Sequence, residues 1–160
     1  MMKGIYLLLG SNMGDRRSFL KRADLHIRSK VGPVLRRSSV YRTAAWGFTD
    51  QRDFYNQVLE VEAILPPVEL LKKIEEIMDL MGRSRTEKWR ERVIDIDILY
   101  YGDHQINQPD LIIPHPRIQE RRFTLVPLCE LAPEMMHPVL GLCHKELLEA
   151  CEDKLDVYKI

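Results

Sequence analysis

Cysteine is scarce: Cys129, Cys143 and Cys151 are the only three in 160 residues. An odd count at those spacings supports neither a disulfide framework nor a zinc motif, so they read as buried or idle thiols of a reducing compartment. Long apolar runs are missing too. No stretch nears the ~20 residues of a membrane-spanning helix, and Ile5–Leu9 is too short for a secretory core. The expectation is a cytoplasmic protein with no membrane partner. Net charge is also absent, with 24 Lys plus Arg against 24 Asp plus Glu. That removes any bulk electrostatic case for nucleic acid. Finally, the glycine turn Leu9–Asp15 lacks Gly-Lys-Ser/Thr, so a Walker-type phosphate loop is not supported. A tight turn followed by a helix cap is the simpler reading.

What remains is an ordinary globular composition, 45% apolar and 30% charged, at the size of one domain spanning 1–160. No repeat, low-complexity tract or linker divides it. Ile5–Leu9 reads as a central strand. Asp15 caps a helix to about Ser29, with Phe19, Leu20, Ala23 and Ile27 at helical spacing. Val34–Tyr41 and Tyr55–Ala63 read as strands joined by a loop. Pro66 and Pro67 open a helix to about Met81, and Gly82 ends it. Val93–Tyr101 is a strand, after which the chain is expected to be irregular to about Gln119. Short helices near Glu120–Leu128 and Lys145–Cys151 and a small terminal strand follow. Strand, helix, strand, strand, helix, strand is the split βαβ order of an α+β, ferredoxin-like sandwich, with a mostly antiparallel sheet and helices packed on it.

Asp95 and Asp97 carry the strongest chemical signal. A strand has period two, so both carboxylates leave one face while Ile94, Ile96 and Ile98 fill the other. Backbones two residues apart on a strand are separated by about 7 Å, close enough for the side chains to converge on a hard cation. Upstream, Arg83, Arg85, Lys88, Arg90 and Arg92 outnumber Glu87 and Glu91, and guanidinium groups match phosphate oxygens in a planar fork. Trp89 lies among them and suits something flat. His115 stands between Pro114 and Pro116, with Arg117, Arg121, Arg122 and Phe123 following. A held imidazole can donate to phosphate. Trp46, Phe54 and Asn56 offer flat surfaces and an amide for a planar heterocycle.

In order, these pieces resemble the 6-hydroxymethyl-7,8-dihydropterin pyrophosphokinase family. The likeness runs through Leu9-Gly10-Ser11-Asn12, Tyr41-Arg42-Thr43, Asp50-Gln51, Phe54-Tyr55-Asn56 and Gly82-Arg83-Ser84-Arg85. It continues through Trp89, Arg92, Asp95-Ile96-Asp97-Ile98-Leu99, Ile113-Pro114-His115-Pro116, Arg121-Arg122-Phe123, Pro127-Leu128 and Ala132-Pro133. The resemblance implies a ferredoxin-like fold and ATP-dependent pyrophosphoryl transfer onto the pterin alcohol, a step of folate synthesis. It implies two Mg2+ ions on Asp95 and Asp97, with Arg83 and Arg92 also in the catalytic set. ATP would meet Leu71, Arg83, Arg85, Trp89, Arg92, Ile98, Leu99, His115 and Arg121. The pterin would meet Thr43, Ala45, Trp46, Phe54, Asn56, Trp89 and Phe123. The expected partners are those two small molecules, for a monomer without nucleic acid. Three positions depart from the family's habit: Ala44-Ala45 replace two prolines, Arg90-Glu91 replace Gly-Pro, and Met78 stands where an acid is common.

Two other classes compete on the residues alone. A nucleotidyltransferase also pairs Gly-Ser with two aspartates, but its acids follow closely, unlike Asp95 and Asp97. A ferredoxin-like RNA-binding module would use the arginines and Trp89 but would leave two acids facing a polyanion.

Overall fold

The computed structural model describes residues 2–44, 51–82 and 93–160. Strand Met2–Ser11 (β1) lies inside the sheet, fully buried from Ile5 to Ser11. It leads through a turn into helix Arg16–Lys30 (α1), whose N-cap Asp15 accepts from the Ser18 N–H at 3.1 Å. The stretch expected as one strand over Val34–Tyr41 is two. Val34–Arg37 (β2) and Tyr41–Thr43 (β3) each pair with Phe54–Ala63 (β4), separated where the Ser38 hydroxyl accepts from the Val58 N–H. Helix Pro67–Leu80 (α2) starts on proline and ends before Gly82, at φ +87°, a conformation that needs no Cβ. Strand Asp95–Tyr101 (β5) follows.

The span expected to be irregular up to Gln119 instead holds a hairpin, Ile106–Gln108 (β6) with Leu111–Ile113 (β7), and a 3-10 turn at Ile118–Glu120. Its strands have three residues each, too short to show a period. Helices Arg122–Leu131 (α3) and His144–Ala150 (α4) and strand Val157–Lys159 (β8) complete the chain.

The main sheet runs β5-β1-β4-β3-β8, with β2 also on β4, and every pairing is antiparallel. This is the ferredoxin-like order the sequence implied. Both faces are covered, which explains why β1 is apolar without alternation. Ile5, Leu7 and Leu9 pack with α1 and α2 through Leu20, Ala23, Ile27, Leu70, Ile74 and Ile77. Tyr6 and Leu8 pack with α3 and α4 through Leu125, Leu128 and Leu147.

Candidate active site

Register across the sheet decides where the acids point. Asp97 pairs with Leu8 and Leu8 with Val58, and both apolar partners belong to the α3/α4 core. Asp95, two residues earlier on the same face, pairs with Gly10, which pairs with Asn56. Ile96 and Ile98 belong to the α1/α2 core. The two carboxylates therefore share one face, half-buried, while the isoleucines fill the other. One residue later the strand bulges. Leu7 pairs with Ile98 but Tyr6 with Tyr100, so Leu99 is an extra residue, and Leu99 and Tyr100 both face α3 and α4.

Gly10 leaves a gap in this row. A Cβ there would sit 2.7 Å from Asn56 Oδ1. Asn56 is 4% exposed and donates from Nδ2 to Thr43 Oγ1 at 2.8 Å, so its amide is held with Oδ1 toward the gap. Phe54 opposes Thr43 one row further out. Asp95, Gly10, Asn56, Thr43 and Phe54 thus form one surface, with bare backbone at its centre.

The chain returns to this surface through His115, whose N–H donates to the Leu99 carbonyl at 2.9 Å. The Ile113-Pro114 bond is cis. His115 Nδ1 accepts from the Arg117 N–H at 3.1 Å, which leaves the ring proton on Nε2 as a donor. Burial, with help from Arg121 and Arg117, pulls His115 down to about 4, while Asp95 opposes the shift. The imidazole is therefore neutral at pH 7. Burial also lowers Arg121, and Asp97 and Asp95 act against that. These mutual effects put both acids, the imidazole and the guanidinium in one electrostatic neighbourhood. The Arg121 guanidinium lies 5.5 Å from the ring centroid of Phe123, which packs at the start of α3 against the α3/α4 core.

Among the described residues, no group of three or more His, Cys, Asp or Glu could hold a metal. Two carboxylates with most positions left to water and phosphate oxygen is the donor set Mg2+ prefers, so the residues fit that ion. Leu99 lies on the face of the acids, whereas Leu71 and Ile98 pack in the α1/α2 layer. Ala45, Trp46, Arg83, Arg85, Trp89 and Arg92 lie outside the described residues. Sequence reasoning missed Gly10 as a gap, because a glycine beside a turn reads as part of the turn. It named Asn12 only within the Leu9-Gly10-Ser11-Asn12 motif and gave it no role of its own; the side chain is fully buried.

Chemically, an acid pair, a neutral imidazole donor and a half-buried guanidinium beside an amide-bearing surface suit group transfer from a polyphosphate to a flat acceptor. Comparisons narrow this. Residues 6–133 match the family described as 7,8-dihydro-6-hydroxymethylpterin-pyrophosphokinase, and the chain belongs to it. It is 41% identical over 138 residues to the 2-amino-4-hydroxy-6-hydroxymethyldihydropteridine pyrophosphokinase of Aquifex aeolicus, covering 86% of each chain. It is 38% identical over 151 residues to the folic acid synthesis protein fol1 of Pneumocystis carinii, covering 94% of this chain and 20% of that protein. Its fold matches a crystal structure of wild-type Plasmodium falciparum HPPK-DHPS with pteroate at TM-score 0.76 and 19% identity. That match covers 94% of this chain but only 42% of the solved one, so the chain spans under half of that longer protein.

Proposed function

We propose that the chain transfers pyrophosphate from ATP to the hydroxymethyl group of 6-hydroxymethyl-7,8-dihydropterin, releasing AMP, as one domain over 1–160. Family membership supports the reaction. The observation that carries the site is the acid pair on one sheet face, within electrostatic reach of His115 and Arg121 and across Gly10 from Asn56.

In this reading Asp95 and Asp97 hold Mg2+, two ions in all. A metal held by these two carboxylates would supply charge neutralisation for the phosphates and alignment of the reacting oxygens. His115 donates Nε2–H to a phosphate oxygen and stays neutral while doing so. Arg121 contributes fixed positive charge from a site with reduced water access. Arg83, Arg85 and Arg92 are assigned to the phosphates by resemblance, and Leu71, Ile98 and Leu99 to the adenosine. Asn56, oriented by Thr43, reads the pterin edge, and Phe54 and Phe123 flank its ring, joined by Ala45, Trp46 and Trp89. The acceptor hydroxyl attacks the β-phosphorus in line. Transfer of this kind depends on positioning and charge more than on covalent help. A monomer in the cytoplasm completes the proposal.

Phosphorus NMR of ATP, Mg2+ and the pterin alcohol tests it: AMP must appear, whereas free pyrophosphate marks a nucleotidyltransferase. Asp97→Asn is expected to lower turnover at least ~100-fold, the scale of losing one charge-stabilising group. Near-normal turnover rejects the metal assignment.

A further inference from the structure

Asn12, directly after the β1 residues Gly10 and Ser11, has no task in the reaction just described, yet it is buried with a polar amide. Asn12 Nδ2 donates to the Arg52 carbonyl at 3.3 Å and to Gln51 Oε1 at 3.0 Å. A backbone carbonyl only accepts, so the amide orientation is fixed. Two further contacts repeat the pattern. Arg16 Nη1 donates to the Asp53 carbonyl at 2.8 Å while its guanidinium lies 3.9 Å from the Tyr55 ring centroid. Arg52 Nη1 returns a bond to the Gly14 carbonyl at 3.4 Å. The start of α1 and the turn before it thus grip residues 51, 52 and 53 in succession.

Those residues lead straight into Phe54 and Asn56. The β1–β4 ladder has its last pair at Ser11 and Tyr55, so Phe54, the first residue of β4, lies beyond its support from β1. Side-chain bonds from Asn12 and Arg16 take over where the ladder stops. A ring that must stack on a flat ligand needs its backbone held to within a fraction of an ångström.

We infer that Asn12 is a positioning residue for the pterin, holding Phe54 and Asn56 in place through Gln51 and Arg52; this rests on the functional reading above. The bonds described here run between the start of α1 with its preceding turn and residues 51–53, on the approach to Phe54 and Asn56, so the role is specific to one substrate.

The test uses two variants. Asn12→Asp keeps the shape but turns an acceptor toward the oxygens of Gln51 and Arg52. Gln51→Ala removes a half-exposed side chain and one bond while leaving the core untouched. Binding of 6-hydroxymethylpterin is read by its fluorescence with a non-hydrolysable ATP analogue present, and binding of the analogue is read separately by calorimetry. Losing one or both bonds is expected to weaken pterin binding roughly 5-fold in Gln51→Ala and ~10- to 100-fold in Asn12→Asp. Analogue binding should stay within about twofold, and kcat at saturating pterin within about threefold, because both depend on groups outside the clamp. Unchanged pterin affinity in a folded variant overturns the clamp. So does equal loss for both ligands, which marks a merely structural bond. If Asn12→Asp does not fold, Gln51→Ala decides alone. Wild-type turnover with unmoved variants refutes the clamp only. A wild-type chain that releases no AMP refutes the functional reading and the clamp with it.

Discussion

Adding one methyl group at Gly10 tests the centre of the proposed pterin surface. Gly10 is not among the glycines at positive φ, so alanine meets no backbone strain there. The effect is steric: the new Cβ would lie 2.7 Å from Asn56 Oδ1, closer than real Cβ atoms approach oxygen, and 3.5 Å from the Phe54 ring, an ordinary contact. Asn56 must yield, and it is buried and tied to the buried Thr43 by a 2.8 Å bond. Weakening a buried amide's bond costs about 1–3 kcal/mol. Reduced freedom of the unfolded chain returns about 0.4–1 kcal/mol, so fold stability should drop by roughly 0–2.5 kcal/mol. Pterin affinity carries the full displacement of Asn56 and should fall roughly 5- to 150-fold, at tenfold per 1.4 kcal/mol. The assay is pterin binding for Gly10→Ala, Asn56→Ala and the double variant. Without the Asn56 amide the methyl group has nothing to strike. The two losses should therefore fail to add by roughly 1 kcal/mol or more. Additive losses, or wild-type affinity in Gly10→Ala, would refute the claim that the gap exists to seat Asn56.

Three further outcomes follow from the same geometry. Burial lowers His115 to about 4 and also lowers His137 and His144, so the unfolded chain takes up protons that the folded chain refuses. Stability is full above about pH 6.5 and falls as pH drops toward 4, where the His115 contribution ends. Urea midpoints across that range should show a loss on the order of 2 kcal/mol from His115 after discounting its partial exposure, and His115→Asn should flatten part of the slope. Asp24, 7% exposed, accepts from Arg28 and from two nitrogens of Arg37, joining α1 to β2. Asp24→Ala should cost roughly 1–3 kcal/mol in urea unfolding with turnover unchanged. Arg121→Lys keeps the charge but loses the planar fork; turnover should fall roughly 10-fold or more, and full activity would remove Arg121 from the phosphate site.

Much of this architecture could be read before any coordinates, because periodicity and punctuation agreed. Asp15 and Gly82 marked helix ends by their own chemistry, and the alternation of Ile96 and Ile98 with Asp95 and Asp97 gave the faces of β5. The β6–β7 hairpin escaped because its strands are too short to alternate. The break between β2 and β3 escaped because Ser38 serves as a ladder partner through its side chain, which no strand pattern encodes. At the site, residue type announced Asp95, Asp97 and His115. Gly10 and Asn12 act through the space they leave and the bonds they make across 46 and 40 positions. Contacts that distant are written in the fold, not in any local pattern.

The additional residue at Leu99 splits β5 into two halves that keep separate time. Its acidic half answers to Leu8 and Gly10, its aromatic half to Tyr6, and only the bulge lets both address the same layer. Straightening the strand with all its residues in place would force a choice: keep Tyr100 beside Tyr6 and swing both carboxylates among the aliphatic side chains of α1 and α2, or keep the carboxylates where they are and turn the tyrosine into that layer. The bulge, and not the composition of the strand, is therefore what reconciles its two halves.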